Sequence, residues 1–94
     1  MADEKIIEAR KLLCRYLADT AKSKGLSTYK LAAITGLHPA NISRVFSGRY
    51  APTLDTIIRL GEAIGVYFFI IDKNANDDLV TTMKERWART SQAQ

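Results

Sequence analysis

Arg44 is the one long, charged side chain on an otherwise trimmed stretch, "HPANISRVFSGRY", residues 38–50. Wound as a helix at about 100° per residue, residues 38–48 gather Ile42, Val45 and Phe46 on one side. Ala40, Ser47 and Arg44 fall on the other, flanked by Asn41 and Ser43. A helix that is merely solvated usually carries Glu and Lys, often in i,i+4 pairs; this face has none. Small residues let a helix lie deep against a surface, and a guanidinium offers paired N–H donors in a fixed fork. The matching acceptor pair is O6 and N7 of guanine, in a DNA major groove just wide enough to admit a helix. On this reading Arg44 reads a base, Asn41 and Ser43 donate and accept beside it, and Ala40 touches a thymine methyl. The plainer alternative is a surface arginine that pairs with a phosphate or a carboxylate.

The neighbouring polar residues suit the backbone of the same ligand. Ser27 and Thr28 open a helix whose unpaired amides and positive dipole end attract phosphate. Lys30, His38, Ser47, Arg49 and Tyr50 extend that set. Between Lys22 and Arg59 lie six bases (Lys22, Lys24, Lys30, Arg44, Arg49, Arg59) against one acid, Asp55, a net of +5. Eight bases and nine acids make up the rest, so the overall +4 resides in the middle of the chain. Basic surfaces meet polyanions, although Lys24, Lys30 and Arg49 would equally serve as a solvated fringe.

Other chemistry lacks footing. The sole histidine, His38, and the sole cysteine, Cys14, fall on different helices, which argues against a nucleophile–base pair and hence against an enzyme. Together they fall short of the three or four ligands that zinc needs, and no GxxxxGK[ST] phosphate loop occurs. Neither a metal nor a cofactor is expected. A lone Cys14 fits a reducing compartment and a small apolar role. No run approaches ~18 apolar residues and "MADEKII" is not built like a signal peptide. The expectation is a soluble, cytoplasmic chain that does not enter membranes.

Several helices must position these residues. Residues 4–24 read as a first helix, with Ile6, Ala9, Leu13 and Leu17 on its inner side, Asp3 at its start and Gly25 at its end. Ser27 caps a second, with Leu31, Ala32 and Ile34 inward and Gly36 as its stop. After "GLH", His38 caps the third and Pro39 takes its first turn, where a missing N–H does no harm. The link is short enough to force two helices into a steep, tight turn. "SGRYAPT" is a loop. Thr53 caps a fourth helix to Ile64, with Leu54, Ile57, Ile58, Gly61 and Ile64 inward and Gly65 closing it. Gly61 inside that helix points to close packing.

"VYFFIID", 66–72, is β-branched and aromatic and bounded by the turn "DKNANDD". It predicts a β-strand, followed by a helix from about Asp78 to Thr90 with Leu79, Met83 and Trp87 at four-residue steps and a frayed tail, "TSQAQ". A lone strand lacks a partner for its N–H and C=O groups, so pairing across a two-fold with a second copy is the economical arrangement. The alternative is an irregular apolar segment folded back onto the helices. Tyr67, Phe68, Phe69, Ile70 and Ile71, with Leu79, Met83 and Trp87, are therefore the expected dimerisation residues. The expected organisation is a helical DNA-binding domain, 1–66, with its helix-turn-helix unit at 27–48, and a strand-plus-helix extension, 67–94.

The run "LSTYKLAAITGLHPANISRVFSGRYAPTLDTIIRLGEAIGV", 26–66, resembles the helix-turn-helix domain of the phage repressor and Cro class, the xenobiotic-response-element family. Leu31–Ala32, Gly36–Leu37, Ile42–Ser43, Gly48, "PTLDTI" and "EAIGV" carry the likeness. The resemblance implies a mostly helical bundle that binds a two-fold-related operator in double-stranded DNA as a homodimer, as a transcriptional repressor or regulator of prokaryotic or phage type. It places Pro39, Ala40 and Arg44 at base-reading positions, with Asn41 and Ser43 beside them. Three residues depart from the family pattern: Thr28 where a phosphate-contacting glutamine is common, His38 for a serine or threonine cap, and Phe46 for a frequent glutamate. The residues from Tyr67 onward lie outside that shared run, and a strand there is similar to certain dimeric antitoxins. A competing expectation is thus a protein-interaction module whose end binds a toxin or other partner.

Overall fold

A computed structural model of the chain describes residues 2–74 and 77–92. Five helices follow in order: α1 (Ala2–Ser23), α2 (Thr28–Thr35), α3 (Pro39–Phe46), α4 (Leu54–Ile64) and α5 (Asp77–Gln92). Of the anticipated frayed tail, Thr90 to Gln92 continue α5, while Ala93 and Gln94 lie outside the described residues, as do Ala75 and Asn76 of the turn.

Local signals set the boundaries of the middle helices. The Ser27 hydroxyl accepts the Lys30 N–H at 3.1 Å, and Thr53 Oγ1 accepts the Thr56 N–H at 3.2 Å. Each satisfies a donor that the first helical turn leaves unpaired. Gly36 and Gly65 end α2 and α4 at φ 78° and 90°, left-handed values that a side chain resists.

The core is small and continuous: Cys14, Leu17 and Ala21 from α1, Leu31 from α2, Ile42 and Val45 from α3, Leu60 and Ile64 from α4. Four helices thus close around one centre. Leu37, Phe46, Ile57 and Val66 pack at its margin.

The inner side of α1 is not the expected one. Leu17 is buried, but Ile6 and Leu13 are exposed, and the buried line runs Cys14–Leu17–Ala21 instead. Apolar residues occupy two adjoining flanks of this helix, so spacing alone does not choose between them. Ile34 and Leu54, also expected inward, are exposed as well.

The expected β-strand at 66–72 is absent: the described residues contain helices and irregular chain, and no strand. β-branched and aromatic residues fit a pleated, half-buried surface, but a ladder needs a second strand to receive its hydrogen bonds. The segment instead lies over the helices as irregular chain. The Val66 N–H donates to the Gly61 carbonyl at 3.0 Å. A Cβ added at Gly61 would come within 3.2 Å of Val66 Cγ2, so the glycine makes room for this returning residue. Phe68 meets Trp87 of α5 with ring centroids 6.4 Å apart, and the Trp87 indole N–H donates to the Glu62 carboxylate.

Candidate nucleic-acid interface

The turn between α2 and α3 is tied from within. Thr35 Oγ1 donates to the Leu31 carbonyl at 2.7 Å and accepts the Leu37 N–H at 3.1 Å. One hydroxyl thereby closes α2 and starts the return toward α3. Leu31 and Ile42, both fully buried, lock the pair from below.

At the head of α3, His38 is the cap: its Nδ1 accepts the Ala40 N–H at 3.1 Å. With Nδ1 accepting, the neutral ring carries its proton on Nε2, which makes that edge a donor. Ile42 and Val45 are buried and Phe46 is half-buried. Ala40, Asn41, Ser43, Arg44 and Ser47 are all exposed, and Pro39 is half-buried beside them. The trimmed side of α3 therefore faces outward, uncovered by its own chain.

Arg44 does not hang freely from this face. Its guanidinium carbon lies 5.8 Å from the centroid of the Tyr50 ring, within cation–π range. The loop that supplies Tyr50 is itself braced. Ser47 Oγ donates to the Arg44 carbonyl at 2.6 Å and accepts the Arg49 N–H at 3.3 Å. Gly48 is buried at φ 71° against α1, where an added Cβ would sit 3.3 Å from Lys11 Cα. The Arg10 Nε–H donates to the Gly48 carbonyl at 3.3 Å.

Two basic residues differ from a simple fringe. Lys24 reaches the end of α4, donating to the Ile64 carbonyl at 2.8 Å and the Gly65 carbonyl at 3.4 Å. It is a cross-helix cap that satisfies carbonyls the helix leaves unpaired. The Lys30 ammonium donates to the Gly25 carbonyl at 3.2 Å, while Ser27 is exposed and Thr28 half-buried. Between Thr28 and Lys30, Tyr29 is 76% exposed, and neither its type nor its spacing marks it in the sequence. Arg10 does carry a signal in the sequence, since it falls four residues before Cys14 on the buried line of α1, where a base must find a partner.

The remaining site candidates lie elsewhere. Tyr67 and Ile70 are exposed, while Phe68, Phe69 and Ile71 are half-buried. Leu79 of α5 is 36% exposed, and Met83 and Trp87 line a shallow groove with Leu54, Ile58 and Phe68. Burial pushes the Cys14 thiol up from its ordinary range, with nearby Arg10 opposing, so it is a protonated core residue at neutral pH. No cluster of potential metal ligands occurs among the described residues.

Two short helices in a tied turn, the second presenting an exposed small-residue face around an arginine, have a counterpart among known families. A helix-turn-helix family model matches residues 17–71, more than half of the chain. The chain belongs to the helix-turn-helix family of the phage repressor and Cro type. Members of this family are DNA-binding transcription regulators. The match begins at Leu17 and runs past Val66 to Ile71, so the family pattern takes in the last third of α1 and the returning segment as well as the 26–66 run. No curated protein and no solved structure matches the chain significantly. No helix among the described residues is long and apolar enough to cross a membrane.

Proposed function

We propose that this helix-turn-helix chain binds double-stranded DNA sequence-specifically as a homodimer in the cytoplasm and represses transcription from a two-fold-related operator. Helix α3 enters the major groove. Arg44 takes a guanine through O6 and N7, Asn41 and Ser43 contact neighbouring base edges, and Ala40 and Pro39 supply apolar contact at the head of the helix. Phosphates are held by the amides and hydroxyls of Ser27 and Thr28, by Lys30, by the Nε2 donor of His38, and by Ser47, Arg49 and Tyr50 across the loop.

The observation that carries this reading is the exposed α3 face, with Arg44 held against Tyr50 at 5.8 Å. A guanidinium already stacked on a ring loses less side-chain freedom on meeting a base than one moving at large. Two α3 helices related by a two-fold and reading adjacent turns of one duplex face would sit roughly 34 Å apart. Selection of bound sites from random duplex tests the reading: a two-fold sequence with a guanine in each half is expected. Retention of no sequence above the random background would refute it.

A further inference from the structure

The outer flank of α1 presents apolar side chains that its own chain leaves uncovered. Ile6 is 65% exposed, Leu13 55% and Tyr16 61%, and beside them on the returning segment Tyr67 is 56% and Ile70 91% exposed. Leu13, Tyr16, Tyr67 and Ile70 line one groove of about 340 Å³, with Leu17 and Val66 at its floor. Together the five exposed residues offer on the order of 600 Å² of surface, at the upper end of the largest apolar patch on a typical monomer.

This flank is separate from the DNA-facing loop. Gly48 packs on Lys11, and at ~100° per residue Ile6, Leu13 and Tyr16 lie about 140–160° round the helix from Lys11. A partner seated there leaves α3 open.

We infer that the flank of α1 bearing Ile6, Leu13 and Tyr16, with Tyr67 and Ile70, is the surface through which two copies of this chain meet. The inference rests on the homodimer in the function proposed above and supplies its interface. Two features select a second copy as the occupant. The area approaches the ~800 Å² that each partner gives to a standard stable interface. The groove is lined by uncharged residues, with the Lys84 ammonium over the Tyr67 ring at 5.9 Å from its centroid, so an isologous contact centred on Leu13 and Tyr16 packs apolar groups together, whereas two chains of net charge +4 repel through their basic middle segments. The contact is side-chain packing of an apolar centre.

Sedimentation velocity on the full chain tests this, with the wild type beside Leu13→Glu/Tyr16→Glu. Both side chains point to solvent in the monomer, and circular dichroism verifies the fold. Ile6→Glu reads the same surface should the double variant unfold. The wild type is expected to be a dimer at micromolar concentration and the folded variant a monomer, its dimer dissociation constant raised at least ~100-fold. A wild type that stays monomeric, or a folded variant that dimerises as the wild type does, overturns the inference. Duplex binding separates this from failure of the DNA reading. If only the interface is misplaced, wild type and variant bind a two-fold site alike. If the DNA reading fails, neither prefers any duplex, whatever its mass.

Discussion

The guanidinium of Arg44 rests over the ring of Tyr50, 5.8 Å from its centroid, and so joins the outward face of α3 to the loop that follows it. An exposed cation–π contact of this kind is worth about 0.5–1 kcal/mol. Tyr50→Ala is therefore expected to weaken binding to the selected operator ~2–5-fold more than binding to random duplex, while Tyr50→Phe keeps most of that preference. Fluorescence anisotropy on both duplexes measures the difference. Equal behaviour of the alanine and phenylalanine variants would remove the ring from the account.

Gly48 holds the same loop against α1. At φ 71°, with Lys11 Cα 3.3 Å from any added Cβ, alanine meets both backbone strain and crowding. Gly48→Ala is expected to cost about 1–3 kcal/mol, seen as a lower denaturation midpoint at unchanged slope. An unchanged midpoint would mean that the loop relaxes without cost.

Lys24 and Arg49 should separate cleanly. Lys24 caps α4 through the Ile64 and Gly65 carbonyls, so Lys24→Met should cost about 1 kcal/mol of stability. It should leave the salt dependence of DNA binding intact. Arg49→Ala should do the reverse: stability unchanged, and the slope of log K against log salt reduced by ~1. Urea denaturation and binding at several salt concentrations read the two effects. A shallower slope for Lys24→Met would place that ammonium on a phosphate.

Cys14 makes a prediction about pH. Burial raises its thiol pKa above the ordinary value, so the folded state favours the protonated form. The sign follows from linkage: this contribution is complete below the ordinary thiol pKa and is lost as the pH rises toward the folded one. Cys14→Ala should therefore lose less stability than the wild type between neutral and strongly alkaline pH. Thiol reagents should label the native wild type only as fast as it opens. Rapid labelling of the folded chain would contradict the burial.

The middle of the molecule was legible in the sequence because its signals are local. Ser27, His38 and Thr53 cap, and Gly36 and Gly65 stop, by chemistry confined to a few residues. The exposed polar face of α3 followed from the same arithmetic, since Ile42, Val45 and Phe46 fix which side goes inward. Tertiary choices were not legible. Ile6 and Leu13 share α1 with the Cys14–Leu17–Ala21 line, and only the shape of α3 and α4 decides which flank is covered. The 66–72 segment has the composition of a strand, but a ladder depends on a partner outside its own sequence, and Val66 turns back onto Gly61 instead. Lys24 reads as a surface base until the end of α4 is placed beside it.

The base-reading role of Arg44 is tested most directly by titrating wild type and Arg44→Ala against the selected operator and a random duplex at one fixed salt concentration. The variant is expected to lose about 1–3 kcal/mol on the operator, roughly 5–150-fold in affinity, and far less on the random duplex, with preference relaxed at one position in each half-site. An equal loss on both duplexes would contradict it, leaving Arg44 as a phosphate clamp.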